Sequence, residues 1–246
     1  GKDDEAAILA SLGRKSAGLS GTVTENTTAG ADYVARNLGA YGAALTGRTI
    51  GVYSHSAVGR DLLLDIVRGL GARVVELGRS ATFIPVDTEA VDPAIRAQLK
   101  VWAAEHGLDA IVSTDGDGDR PLLTDESGAV IVGDILGQIT GAALGAETAV
   151  TPVSSNTGAE RLFARVLRTR IGSPFVIAGM KEAGGRVVGY EANGGFLLGF
   201  DAQGPAGPLP ALATRDAVLP FVAPLAAATD GLAALVAAQP ARFTAA

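Results

Sequence analysis

From residue 49 onward, short apolar runs alternate with longer stretches in which apolar residues recur every three or four positions. Thr49-Ile50-Gly51-Val52-Tyr53 predicts a strand. Val58–Leu70 has apolar residues at 62, 63, 66, 67 and 70, which is helical spacing, and Gly71 ends it. Arg73–Leu77 predicts the next strand. Pro93–His106 predicts the next helix, with Ile95, Leu99 and Trp102 on one side and Gly107 as its stop. Ala110-Ile111-Val112 then reads as a buried strand and Leu122-Leu123-Thr124 as another. Helices of this length between short strands mark βαβ units.

A second round starts near Gly133. Asp134–Leu144 predicts a helix, Thr148–Val153 a strand, Ala159–Leu167 a helix and Phe175–Lys181 another. Arg186–Gly189 predicts a strand, followed by a polar turn and the strand-like Phe196-Leu197-Leu198. A Pro- and Gly-rich loop over 204–210 precedes an Ala/Leu-rich helix over 215–228. Ahead of the first round lie a short helix over 3–13, a Gly/Ser/Thr-rich linker over 14–30 and a helical pattern from Asp32 to Leu45. The two halves share size and rhythm without a residue-level repeat. The predicted class is therefore α/β: two consecutive α/β/α domains, each a small mixed sheet packed between helices, with the boundary near residue 135. Each half has its own strands and helices, which predicts a core for each.

Composition narrows the function. Hydrophobic residues make up 48% of the chain but aromatics only 5%, so the core is built from Ala, Val, Leu and Ile. A net charge of −6 argues against nucleic acid or an anionic membrane as partner. There is no cysteine, which excludes disulfides and thiolate metal sites. No apolar run is long enough to span a bilayer, and Gly1-Lys2-Asp3-Asp4-Glu5 does not read as a signal peptide, so the expected location is the cytoplasm.

The chemistry concentrates in Asp115-Gly116-Asp117-Gly118-Asp119-Arg120, between two strand-like runs. In a strand the three carboxylates would share one face and repel. In a turn, with glycines free to take positive φ, their oxygens can converge on one point. A hard divalent cation stabilises such a point, so Asp115, Asp117 and Asp119 are the candidate metal ligands and Mg²⁺ the candidate ion. Arg120 brings a planar fork suited to a phosphate or carboxylate beside the metal. Two alternatives are an acidic solvated turn and a calcium loop of the EF-hand kind, with Glu126 at its twelfth position. The calcium loop needs glycine at its sixth position, which here is Arg120, and its flanks should be helical.

With these residues in view, the chain resembles the α-D-phosphohexomutases, the phosphomannomutase and phosphoglucomutase enzymes. The resemblance rests on Asp115–Arg120, the Asp125-Glu126-Ser127-Gly128 that follows, and Phe83–Glu89. Thr151–Asn156, Arg168–Gly172 and Gly189-Tyr190-Glu191-Ala192-Asn193-Gly194-Gly195 then follow in the family's order. Members have four domains: the first carries a phosphorylated serine, the second the Mg²⁺ loop, the third a sugar-selecting loop and the fourth a phosphate site. The resemblance implies that residues 1–30 follow a missing first domain. Residues 31–135 would be the metal-loop domain and 136–246 the sugar-loop domain, with Leu235–Thr244 leading into the fourth. No Thr-Ala-Ser-His-Asn-Pro-like motif is present.

The implied activity is a Mg²⁺-dependent mutase shifting phosphate between C6 and C1 of a hexose, mannose first and glucose close behind, with the chain by itself inactive. Arg120 would stabilise charge on the transferring group, while Glu191 and Asn193 would meet sugar hydroxyls. The alternative is a non-catalytic module that binds metal or sugar phosphate. Ser54-His55-Ser56 suggests a nucleophile beside a base, but is expected to be a βα turn with a serine cap. His106 is expected to be a polar residue closing its helix. Asn193 stands where serine is common in the family, and Ser173 where some members carry a histidine, so the sugar preference stays open. Arg170 and Lys181 are either phosphate neighbours or solvated charges.

Overall fold

The computed structural model describes residues 2–14, 18 and 21–243. Residues 15–17 and 19–20 of the expected linker, like Gly1 and the last three residues, lie outside the described residues.

In chain order come α1 (Lys2–Ser11), α2 (Ala29–Tyr41), β1 (Thr49–Tyr53), α3 (Arg60–Gly69), β2 (Arg73–Leu77), α4 (Pro93–His106), β3 (Ala110–Thr114), β4 (Pro121–Thr124) and β5 (Val130–Ile131). The second round comprises α5 (Gly133–Ala143), β6 (Thr148–Pro152), α6 (Ala159–Leu162), β7 (Arg165–Thr169), α7 (Ser173–Ala183), β8 (Val187–Tyr190) and β9 (Phe196–Leu198). The small strands β10 (Ala202–Gln203) and β11 (Pro208–Leu209) and the helices α8 (Leu219–Ala227) and α9 (Leu232–Ala237) complete it. The element boundaries follow local chemistry. At α4, for example, Asp92 accepts the Ala94 N–H at 2.7 Å and Pro93 supplies a preset φ. Gly107, left-handed at φ 56°, closes the helix.

The two sheets are wound alike. The first has the order β2-β1-β3-β4-β5 and the second β7-β6-β8-β9. In each, the first strand lies between two parallel partners reached through helices, and the third strand turns back into an antiparallel fourth. The repeat that residue identities hide is thus present in the winding. It gives two equivalent turns, β3–β4 and β8–β9, and the Asp loop occupies one while Glu191–Gly195 occupies the other.

Three expectations need correcting. Ala159–Leu167 is not one helix: α6 stops at Leu162, Phe163 is extended, and Arg165–Thr169 pairs in parallel with Thr148–Pro152. Leu162, Phe163, Val166 and Leu167 fit a helical period, but β6 leaves an edge that an extended segment satisfies with backbone hydrogen bonds. The helix expected from 215 starts at 219, because the Asp216 carboxylate holds the N–H groups of Val218 and Leu219 at 3.0 and 3.1 Å. The serine cap expected ahead of α3 is absent, and Gly59 stands at that helix's N-terminus without a side-chain cap.

The main core spans both halves. The largest buried cluster joins Ile50, Val52, Leu63 and Val112 of the first half to Ile135, Val188, Tyr190 and Phe221 of the second. Helices α5 and α8 supply the connection, packing on each other while α8 also meets α2 and β4. Smaller clusters lie under α4 (Leu77, Leu99, Ile111) and under α7 (Val150, Val176, Leu197).

Candidate metal and sugar-phosphate site

The Asp loop begins where β3 ends, at the carboxyl end of the sheet, the edge at which open α/β sheets place their ligands. Asp115 shapes it. Its Oδ1 accepts the backbone N–H groups of Gly118, Asp119 and Arg120 at 3.1, 3.2 and 3.2 Å, and Gly118 takes the left-handed φ of 83° that the curl requires. Asp115, Asp117 and Asp119 each direct a carboxylate oxygen to within 4.8 Å of the others. The donor set is three hard oxygens on a curled backbone, with Asp115 Oδ2 and both oxygens of Asp117 spared from backbone bonding, and it fits a divalent cation. Burial raises the Asp115 carboxyl above its usual range, and the charges of Asp117 and Asp119 add to the shift against the Arg120 N–H bond. A cation would relieve that strain. Glu126, the last ligand a calcium loop would need, instead accepts the Ala233 N–H at 3.1 Å near the start of α9.

Arg120 flanks the triad, its Nε 3.8 Å from Asp115 Oδ2 and 3.9 Å from Asp119 Oδ1. With Asp115, Asp117, Asp87 and Phe83 it lines an open cleft of about 550 Å³. A second hollow of about 250 Å³ lies against the same loop, lined by Tyr33, Leu63, Thr114, Asp117 and Arg215. Sequence reasoning missed Arg215, which forms an ion pair with Asp119. It lies far along the chain between Thr214 and Asp216, and no local pattern ties it to the loop.

The second turn sits against the first. Gly194, at φ 90°, approaches Pro121 so closely that a side chain there would strike the proline ring. Thr88 Oγ1 donates to the Asn193 carbonyl at 2.9 Å, and Gly133 leaves no room for a Cβ beside the backbone of Ala192 and Gly194. Glu191 is buried, and burial lifts its carboxyl above the usual range. Arg215, the Gly172 N–H, Arg120 and the Ser173 hydroxyl pull it part of the way back. Ser173 is therefore a neighbour of Glu191. Asn193 Oδ1 accepts the Gly195 N–H at 3.0 Å, which ties the side chain to its own loop.

The remaining candidates are engaged in other contacts. Ser54 donates to Glu76 at 2.8 Å, His55 Nε2 lies 2.9 Å from the Thr114 carbonyl oxygen, and Ser56 accepts the Ile84 N–H at 2.8 Å. No serine–histidine pair forms there. Arg170 stacks on Phe175, 4.2 Å from the ring centroid. Lys181 borders an apolar hollow of about 270 Å³ with Ile177, Met180 and Leu197, which shares no lining residue with the cleft.

Residues 31–128 match the family description "Phosphoglucomutase/phosphomannomutase, alpha/beta/alpha domain II", and residues 124–243 match "alpha/beta/alpha domain III" of the same family. Together the two matches run from residue 31 to residue 243, and the chain belongs to the phosphoglucomutase/phosphomannomutase family. A phosphomannomutase from Sinorhizobium fredii is 51% identical over 191 residues, covering 76% of this chain and 40% of the relative. A phosphomannomutase from Salmonella muenchen is 42% identical over 250 residues, covering 99% of this chain and 52% of the relative. The chain thus spans about half the length of the curated relatives it matches. In fold it resembles the crystal structure of a phosphoglucomutase/phosphomannomutase family protein from Burkholderia thailandensis. That likeness has a TM-score of 0.68 at 19% identity and covers 86% of this chain and 46% of that one. Among the described residues no helix is long and apolar enough to cross a membrane.

Proposed function

We propose that this chain is the metal-binding and sugar-recognising part of a cytoplasmic phosphohexomutase that moves phosphate between C6 and C1 of mannose, with glucose the second substrate. The observation that carries this reading is the meeting of the two equivalent turns. The carboxylate triad and the Glu191 loop lie against each other through Pro121 and Gly194, with Arg215 near both. The resemblance to phosphomannomutases over nearly the whole chain supports the choice of sugar. In this reading residues up to about 135 serve the metal and the rest the sugar.

Asp115, Asp117 and Asp119 would hold Mg²⁺, which when bound supplies charge neutralisation at a phosphoryl oxygen. Arg120 presents its guanidinium to the phosphoryl group beside the triad. Glu191 accepts from a sugar hydroxyl and the Asn193 amide donates to another, fixing the ring. Phosphoryl transfer depends on such positioning more than on covalent chemistry from these residues. Each hydroxyl bond is worth only ~1 kcal/mol net, so the loop alone should bind hexose phosphate at millimolar strength or weaker.

The phosphoserine lies outside this chain in the proposal, so the 246-residue protein with mannose 1-phosphate or glucose 1-phosphate at saturating Mg²⁺ should give no 6-phosphate. Turnover that disappears in Asp117→Asn would place the nucleophile within these residues and overturn that part.

A further inference from the structure

Of the three carboxylates in the metal loop, each is engaged differently. Asp115 gives one oxygen to the backbone. Asp117 is exposed, lines both hollows and, among the described residues, makes no ion pair. Asp119 alone is held by cations on both sides, with Arg215 Nη2 on Oδ2 and Arg120 Nε 3.9 Å from Oδ1. Arg120 is the neighbour in sequence, and its place beside the triad is set by the turn itself. Arg215 reaches the loop from the far half of the chain. Its stem runs over the sugar loop, where a Cβ on Gly195 would lie 2.9 Å from Arg215 Cδ and 3.6 Å from Cγ. The arm therefore rests on one loop while its head grips the other.

We infer that Arg215 is a built-in competitor for the metal loop, occupying Asp119 until a divalent cation takes that carboxylate, and so tying metal occupancy to the sugar loop. The inference rests on the reading of the triad as a metal site. A divalent ion needs the Asp119 oxygen at close range and repels a guanidinium bonded to the same group. Both side chains keep about a quarter of their surface in solvent, with accessibilities of 27% and 26%, so a hydrated ion can reach the pair and compete for the carboxylate. Freed from Asp119, the guanidinium stays tethered over Gly195 near Glu191, whose carboxyl already feels its charge. There it would face an anionic group brought in with the sugar. Arg215 is in this sense a positioning residue that couples the two turns.

The test is calorimetric titration of MgCl₂ into the wild-type chain and into Arg215→Ala, Arg215→Lys and Asp117→Asn. Arg215→Ala should bind Mg²⁺ roughly three- to tenfold more tightly than wild type. Arg215→Lys, which keeps the charge, should stay within about twofold. A damaged loop binds metal less well, so a gain in affinity cannot come from misfolding. The same titration in the wild type, followed on the Arg215 side-chain Nε–H by NMR, needs no substitution and should show that signal moving with Mg²⁺ occupancy. Affinity in Arg215→Ala that equals or falls below wild type, or an Arg215 signal unmoved at saturation, overturns the inference. If Asp117→Asn still abolishes binding in that case, the metal reading stands alone. If Asp117→Asn leaves binding unchanged, both fall.

Discussion

Replacing Asp117 by asparagine is expected to weaken Mg²⁺ binding by roughly two orders of magnitude while leaving the thermal midpoint within about a degree of wild type, because surface changes away from packed features cost little. The choice of residue matters. Asp115 builds the turn through three backbone hydrogen bonds, so its loss would confound ligand removal with loop collapse. Asp119 is tied to Arg215, so its loss would also free a cation. Asp117 has neither duty: it faces the two hollows, makes no ion pair among the described residues and contributes a negative charge to the triad. Asparagine keeps the shape and one oxygen but removes that charge, and hard cations depend on the charge count of their ligands. Two orders of magnitude correspond to about 2.7 kcal/mol. Calorimetry with MgCl₂ reads the affinity, and a thermal melt without metal reads the fold.

The largest stability effect is expected at Phe221. It is 1% exposed, lies in α8, and belongs to the cluster that joins the two sheets. Phe221→Ala should cost about 3–5 kcal/mol, the lost transfer energy plus a cavity that α5, α2 and β4 cannot collapse to fill. In a protein of this size that lowers the midpoint by roughly 6 to 20 °C. The shape of the transition carries further information. If the core is continuous, one transition moves as a whole. Two separate transitions, with only one displaced, would show that the halves unfold independently and that the contact through α8 is energetically minor.

The sequence made the local rules plain and left the distant ones hidden. Strands at 49–53, 73–77 and 196–198 and the helix at 93–106 were legible because glycines, Pro93 and the apolar spacing mark their ends. The place of the Asp loop beyond a buried strand was legible for the same reason. Strand β7 was not, since Val166 and Leu167 suit either period and only the open edge of β6 decides between them. The shared core was missed because apolar faces of α5 and α8 announce burial without naming the partner. Arg215 was missed because an ion pair between distant residues leaves no spacing to read. Equivalence of the two turns likewise belongs to winding order rather than to residue identity.

The central claim is that the Asp loop and the Glu191 loop act as one site for a hexose phosphate. Backbone NMR on the 246-residue chain tests it most directly, titrating mannose 1-phosphate with Mg²⁺ present. The account predicts that amide signals of Gly116–Arg120 and of Glu191–Gly195 move together along one millimolar binding curve, and that Asp117→Asn suppresses both sets. Shifts confined to one loop, or two sets following different curves, would contradict it.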